Sequence, residues 1–168
     1  MTMCQIEGLW RGKLAIVPRP RGGDWLEDDV RAWKEQGFNV VVSLLTKDEK
    51  EEFDLELERE VSQAHGLEFF EFPIPDLGIP SSLTAAQEFL SKIYDALRAG
   101  KQVAIHCRQG IGRSGLVASS LLVLFGLEPD TAFHSVSVAR GLSVPETAEQ
   151  STWVRALARE LVTPLDRR

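Results

Sequence analysis

Cysteine, histidine and tyrosine are scarce in this sequence of 168 residues, which has two cysteines, three histidines and one tyrosine. The two cysteines, Cys4 and Cys107, are too few to build the disulfide framework of a small secreted domain. The cysteines and histidines also lack the paired spacing of structural zinc sites, so we expect no metal site and no cofactor.

The sequence also lacks a long apolar run and an excess of positive charge. Its longest nearly apolar stretch, residues 116–127, is too short to cross a bilayer, and residues 1–13 do not contain the apolar core of a secretory signal. The net charge of −6 gives no reason to expect binding to nucleic acid or to an anionic membrane. We therefore expect a cytoplasmic protein without a nucleic-acid or membrane partner.

The composition is that of an ordinary globular protein, with 43% hydrophobic and 26% charged residues. Short apolar runs rich in β-branched residues predict strands, and apolar residues repeated every three or four positions predict helices. The predicted strands are residues 13–17, 38–45, 67–74 and 102–106, and the helices between them are residues 24–36, 53–64 and 83–99. Three further helices are predicted at about residues 112–125, 129–139 and 147–161.

This alternation of strands and helices predicts an α/β fold. We expect one domain over residues 1–168, with a mainly parallel sheet of four to five strands flanked by helices and a helical C-terminal part. Asp24, with Glu27 three residues later, indicates where the first helix begins. The charged residues 46–52 are predicted to be a solvated turn.

The carboxyl ends of parallel strands meet at one edge of a sheet, which is where open α/β sheets bind ligands. The segments that follow the predicted strands should therefore lie together there. These segments are residues 18–23, 46–50, 75–81 and the stretch after residue 106.

The stretch after residue 106 has the features of an anion site. A buried strand ends at Cys107, the chain passes Gly110 and Gly112, and an apolar helix begins near Arg113. Unpaired backbone N–H groups and the helix dipole make such a helix start attractive to anions. A thiol at a helix N-terminus next to a cation ionises readily, so we expect Cys107 to be a thiolate nucleophile and Arg113 to grip an oxyanion.

The string from His106 to Ser114 resembles the signature of the cysteine-dependent protein tyrosine phosphatases, and residues 67–150 resemble their small dual-specificity group. The resemblance implies that residues 107–113 form the phosphate-binding P-loop after the last strand. It implies that Cys107 attacks phosphorus to form a phosphocysteine. Arg113 and the backbone of the loop residues would then hold the phosphoryl oxygens; these loop residues are Arg108, Gln109, Gly110, Ile111 and Gly112.

The same resemblance implies roles for four residues around the loop. Asp76, in a Pro- and Gly-containing segment after the third predicted strand, would be the general acid and then the general base, although Asp is also a common turn residue. Gln150 would position the hydrolytic water, and Ser114 would donate a hydrogen bond to the Cys107 sulfur. His106 would support the loop from the strand side. The alternatives without a catalytic role are a surface position for Gln150, a first-turn hydroxyl for Ser114 and a core histidine for His106.

We therefore predict a protein phosphatase that acts on phosphotyrosine, with phosphoserine and phosphothreonine as further candidates. Its partners would be a phosphorylated protein substrate and phosphate or oxyanion inhibitors in the P-loop. Three alternatives remain open at this point: a phosphoinositide or other non-protein phosphatase with the same loop, a rhodanese-like sulfurtransferase, and a phosphate-binding module without activity.

Overall fold

A five-stranded sheet forms the centre of the computed structural model, which describes residues 2–162. The strands are β1 (Cys4–Ile6), β2 (Lys13–Ile16), β3 (Val40–Ser43), β4 (Glu68–Glu71) and β5 (Gln102–His106). Their order across the sheet is β1-β2-β5-β3-β4. All neighbours are parallel except β1, which pairs with β2 in the antiparallel sense.

Strand β5 lies in the middle of the parallel part, between β2 and β3. Its residues Val103, Ala104 and Ile105 are fully buried, as expected for a strand covered on both faces. His106 is paired in register with Ser43 of β3. The chain that leaves β5 therefore emerges at the centre of the carboxyl edge, flanked by the segments that follow β2 and β3.

Within residues 2–162, seven α-helices cover the sheet. Their bounds are α1 (Leu26–Glu35), α2 (Lys47–Glu52), α3 (Glu58–Ala64), α4 (Leu83–Arg98), α5 (Gly112–Leu124), α6 (Pro129–Arg140) and α7 (Ala148–Val162). Two apolar clusters lie on the two faces of the sheet: side chains of α4 to α7 contribute to one and side chains of α1 to the other. Among residues 2–162, no helix combines the length and the apolar character needed to cross a bilayer.

The predicted α/β architecture and the mainly parallel sheet of four to five strands are confirmed, although the strands located from the sequence did not include β1 and the predicted start of the first helix is wrong. The sheet has an additional edge strand, β1, whose three residues are too short to give a periodic signal. The first helix does not begin at Asp24: a 3-10 turn at Gly23–Trp25 precedes α1, and no side chain caps the helix.

The prediction of a solvated turn at residues 46–52 is also wrong. Thr46 caps helix α2, because its hydroxyl accepts the Glu49 N–H while the Glu49 carboxylate accepts the Thr46 N–H. Glu49 is buried rather than solvated. Residues 53–57, expected to be helical, are not, and Asp54 there has a positive φ of 53°.

Candidate active site

The P-loop connects β5 directly to the buried helix α5. Cys107 is 3% exposed, and its sulfur accepts the backbone N–H of Gly110 at 3.2 Å. Gly110 has a φ of 69°, a conformation that favours glycine. Helix α5 begins at Gly112, so its unpaired N–H groups lie within the loop that starts at Cys107. The loop thus brings a thiol and a set of backbone donors together.

Arg113 is buried beneath this loop and makes two parallel hydrogen bonds to Glu49. Its Nη1 and Nη2 atoms lie 2.7 and 2.8 Å from the two carboxylate oxygens of Glu49. Nη1 also donates to the carbonyl of Ile74 at 2.9 Å, and Nη2 to Asp76 Oδ1 at 3.2 Å. Burial lowers the pKa of Arg113, but the Glu49 hydrogen bond and the charges of Cys107, Glu49 and Asp76 outweigh it, so the pKa lies above its ordinary value.

In the pair of Arg113 and Glu49, the sequence predicted a role for Arg113 but not for Glu49. Burial tends to raise the pKa of its carboxyl, yet the hydrogen bonds from Arg113 and Thr46 lower it below the ordinary value, so Glu49 stays ionised. Thr46 followed by Glu49 is a capping-box pattern directly after a strand. That pattern could have placed Glu49 at the carboxyl edge of the sheet.

Asp76 reaches the P-loop from the segment after β4. Its side chain is 55% exposed, so a substrate can approach it, while Oδ1 accepts hydrogen bonds from Arg113 and from the Leu77 N–H at 3.1 Å. The structure therefore brings Asp76, Arg113 and Cys107 to one site, as the sequence analysis expected of a general acid beside the loop.

Ser114 lies in the first turn of α5 and is completely buried. Its hydroxyl oxygen has no hydrogen-bond partner among the described residues. The expected donation to the Cys107 sulfur is therefore not present in this structure, where the sulfur accepts from Gly110 instead.

Gln150 packs against the beginning of α5. Its Oε1 accepts the N–H groups of Glu146 and Thr147 at 3.1 and 3.3 Å, and its Nε2 donates to the carbonyl of Gly78 at 3.1 Å. A Cβ atom at Gly112 would lie 3.0 Å from Gln150 Nε2 and 2.6 Å from a Glu146 carboxylate oxygen. Gln150 thus links the Asp76 segment to the P-loop, and Glu146 adds a carboxylate there that the sequence analysis did not identify.

His106 is held by a second buried glutamate. Its Nε2 lies 2.6 Å from Glu58 Oε1, and the two side chains are 0% and 1% exposed. The imidazole also stacks on Trp33, with ring centroids 6.0 Å apart and an interplanar angle of 25°. Glu58 was not predicted from the sequence, because the hydrophobic pattern gives no reason to expect that it is buried.

The rim of the loop carries arginines that are already engaged. Arg108 points outward and binds the Glu52 carboxylate with two hydrogen bonds of 3.1 Å. Arg19 donates to the Arg108 carbonyl at 3.2 Å and lies 3.5 Å above the centre of the Phe53 ring. Arg140 donates to the Gly110 carbonyl at 2.8 Å. These contacts fix the backbone of the loop from outside.

Within residues 2–162, no set of three or more His, Cys, Asp or Glu side chains is arranged to hold a metal ion.

Comparison with known proteins agrees with this geometry. Residues 17–127 match the model of a protein family described as "Polymorphic toxin system, DSP-PTPase phosphatase". The chain belongs to this family. It is a cysteine-dependent phosphatase, as the P-loop signature had predicted. The matched segment contains Glu49, Glu58, Asp76 and the whole P-loop, while Gln150 lies beyond it.

Individual relatives of this phosphatase include cyclin-dependent kinase inhibitor 3 from Rattus norvegicus, which is 26% identical over 145 residues that make up 85% of this chain and 68% of the relative. The crystal structure of Tk-PTP in its active form has a TM-score of 0.74 and 31% identity, covering 88% of this chain and 92% of that one. Kinase-associated phosphatase, in a form with its catalytic-site cysteine replaced by serine, has a TM-score of 0.88 and covers 96% of both chains. Its 20% identity supports the fold alone.

Proposed function

We propose that this phosphatase hydrolyses phosphotyrosine, and also phosphoserine and phosphothreonine, in protein substrates through a phosphocysteine. The observation that carries the proposal is the convergence of Cys107, Asp76 and a buried, charge-paired Arg113 on one loop. A nucleophile, a proton donor and a fixed oxyanion grip are the groups that metal-free phosphoryl transfer requires.

In the first step, the Cys107 thiolate attacks phosphorus and the bond to the leaving oxygen breaks. Asp76 donates its proton to that oxygen, which otherwise would leave as an unstable alkoxide or phenoxide. In the second step, water attacks the phosphocysteine, Asp76 accepts a proton from it, and the thiolate leaves. Arg113 and the backbone donors of the P-loop hold the phosphoryl oxygens throughout.

Three further residues support these steps. The Ser114 hydroxyl has no partner in the described part of the chain, so it is available to donate to the sulfur when negative charge returns there. The Gln150 side-chain amide donates one N–H to the Gly78 carbonyl. We assign its second N–H to the hydrolytic water. His106 holds the strand side of the loop.

The rim favours a monoester in a protein over a polyanionic lipid headgroup. A headgroup with several phosphates needs cations beside the loop, but Arg108 is already bound to the Glu52 carboxylate. Its partner holds the pKa of Arg108 above its ordinary value and offsets its charge at the rim.

We further propose that the whole chain is one catalytic domain that works in a reducing compartment, the cytoplasm. A single apolar cluster extends from Cys4 in β1 to Leu157 in α7, which supports one domain. Cys4 and Cys107 are both free, and a thiolate nucleophile must stay reduced to act.

The test is metal-free phosphate release from matched phosphotyrosine and phosphoserine peptides and from a phosphoinositide, with Cys107→Ser as the inactive blank. Cys4→Ser is the matched control, because Cys4 lies in β1 rather than in the P-loop. We expect release from the peptides that is lost in Cys107→Ser and kept in Cys4→Ser. Release mainly from the lipid would contradict the proposed substrate class. No release from any substrate would contradict the proposed reaction.

A further inference from the structure

The contact between Glu58 and His106 has no part in the two steps above, yet it is among the most buried polar contacts of the described chain. Neither side chain is more than 1% exposed, and their closest atoms are 2.6 Å apart. Removing a carboxylate from water is costly unless a partner compensates it. Glu58 Oε2 and the neighbouring Ser62 hydroxyl have no partner among the described residues, so His106 provides the compensation.

We propose that Glu58 is a positioning residue for the phosphatase reaction, which sets the reactivity of Cys107 by fixing the imidazole of His106. The inference rests on the proposed function, in which Cys107 is the nucleophile. Glu58 does not touch the substrate site. It acts through His106, the residue covalently joined to Cys107.

The surroundings of His106 leave its ring one orientation. The Glu58 carboxylate holds Nε2 from α3, and Trp33 of α1 covers the ring face. The backbone is held as well, because the His106 carbonyl accepts the Leu44 N–H at 3.1 Å. With the backbone fixed by the sheet, the Glu58 contact determines where the side chain lies and which nitrogen carries the proton.

In the proposed arrangement, Glu58 accepts a hydrogen bond from an N–H on His106 Nε2, the nitrogen that lies 2.6 Å from its carboxylate. The other nitrogen, Nδ1, is buried and has no partner within the described residues. Without Glu58, the ring could rotate or carry its proton on Nδ1. Either change alters the groups next to the start of the P-loop.

The phosphate grip is held by different contacts. Glu49 fixes Arg113, and Arg140 fixes the Gly110 carbonyl. Among the described residues, the Glu58 side chain forms a hydrogen bond with His106 and with neither Arg113 nor Gly110. Loss of the Glu58 contact should therefore reduce the reactivity of the nucleophile more than the binding of phosphate. A purely structural role for Glu58 does not predict this separation.

The experiment compares Glu58→Gln, Glu58→Asp and Glu58→Met in the full chain. Gln keeps an acceptor oxygen at the same reach, Asp withdraws the carboxylate by one methylene, and Met keeps the volume without an acceptor. Glu60→Met is the matched control, since Glu60 lies on the same helix and is exposed. Each folded variant is measured for alkylation of Cys107 by iodoacetamide, for kcat, and for inhibition by inorganic phosphate.

We expect alkylation and kcat to fall about tenfold or more in Glu58→Asp and Glu58→Met, with the inhibition constant of phosphate changed less than threefold. Glu58→Gln should stay within about threefold of the wild type, and Glu60→Met should match it. If Glu58→Met does not fold, Glu58→Asp against Glu58→Gln still decides the question.

The proposal is overturned if Glu58→Asp keeps wild-type alkylation and kcat, if Glu58→Gln falls as far as Glu58→Asp, or if phosphate inhibition weakens as much as kcat falls. Alkylation needs no substrate, so it reports on Glu58 even if phosphate release from the chosen peptides fails. Failure of the proposed function and failure of this inference are thereby distinguished.

Discussion

At the scale of single residues, Arg113 shows how the site is prepared for its ligand. Its two terminal nitrogens make five hydrogen bonds: two to Glu49, one to Asp76, and one each to the carbonyls of Ile74 and Leu44. A phosphoryl group that binds Nη2 must take the place of Asp76 there. Substrate binding would then release the Asp76 carboxyl group toward the leaving oxygen, which lies on the open side of the loop.

Asp76→Asn should therefore have opposite effects on chemistry and on binding. Without a proton donor, kcat/KM, which reports the first step, should fall by about 10²- to 10⁴-fold with an alkyl phosphate and much less with p-nitrophenyl phosphate, whose leaving group needs little protonation. Removing the competing negative charge from Arg113 should strengthen inhibition by inorganic phosphate. Steady-state kinetics with a series of leaving groups measures both effects.

Asp95→Asn is the control for this series, because Asp95 is exposed on α4, outside the P-loop. Equal losses of kcat/KM for good and poor leaving groups in Asp76→Asn would show that Asp76 is not the proton donor.

At the scale of elements, the segment before α7 packs closely against α5 at Gly115. A Cβ atom at Gly115 would lie 2.3 Å from a methyl carbon of Val144, which is buried. The Ser137 hydroxyl accepts the Val144 N–H and donates to the Val144 carbonyl, so the backbone there cannot move away freely. The close approach places Gln150 beside Gly112.

Gly115→Ala should lower stability by about 1–3 kcal/mol through overpacking and should lower kcat by displacing Gln150. Val144→Ala removes the methyl groups that clash, so the double variant Gly115→Ala/Val144→Ala should be more stable and more active than Gly115→Ala alone. Thermal unfolding and kcat of the two single variants and the double variant form the cycle that measures this coupling. Strictly additive losses would contradict it.

The elements also show what the sequence could predict. Strand β5, the P-loop and α5 were placed correctly because strand, turn and helix signals are local and follow one another directly. Glu49 and Glu58 were not found, because their partners Arg113 and His106 lie 64 and 48 positions away. A charged residue in a charged segment is predicted to be solvated, because the sequence does not show which distant opposite charge the fold brings to it.

At the scale of the whole molecule, two ion-paired carboxylates, the buried Glu49 and the half-buried Glu71, make the fold sensitive to acid. Burial tends to raise the pKa values of Glu49 and Glu71, but hydrogen bonds lower them by more, so both pKa values lie below the ordinary value. Arg113 donates to Glu49, and Lys50 and Arg59 donate to Glu71. A carboxyl group with a lowered folded pKa contributes stability that is complete above its unfolded pKa, about 4.3 for Glu. That stability is lost as the pH falls through the lower folded value.

Glu49→Gln should therefore unfold at a lower temperature than the wild type at pH 7, by a few degrees for a chain of this length. The difference should shrink below about pH 4, where the wild type loses the contribution of the ionised Glu49 as well. Calorimetry from pH 7 to pH 3 measures the two curves. Glu51→Gln, an exposed change in the same helix, should follow the wild type; a Glu49→Gln difference that stays constant with pH would contradict the assignment.

The stretch between β3 and β4 supplies both buried glutamates, one for the arginine that closes the P-loop and one for the histidine that precedes it. The P-loop signature is therefore easy to recognise in a sequence, but it does not form the complete site by itself. A loop of the same sequence, grafted onto another parallel sheet, would bring its cysteine and arginine without the carboxylates that hold their neighbourhood in place. A survey of all single substitutions should show that, among the many charged residues of this stretch, Glu49 and Glu58 tolerate replacement least.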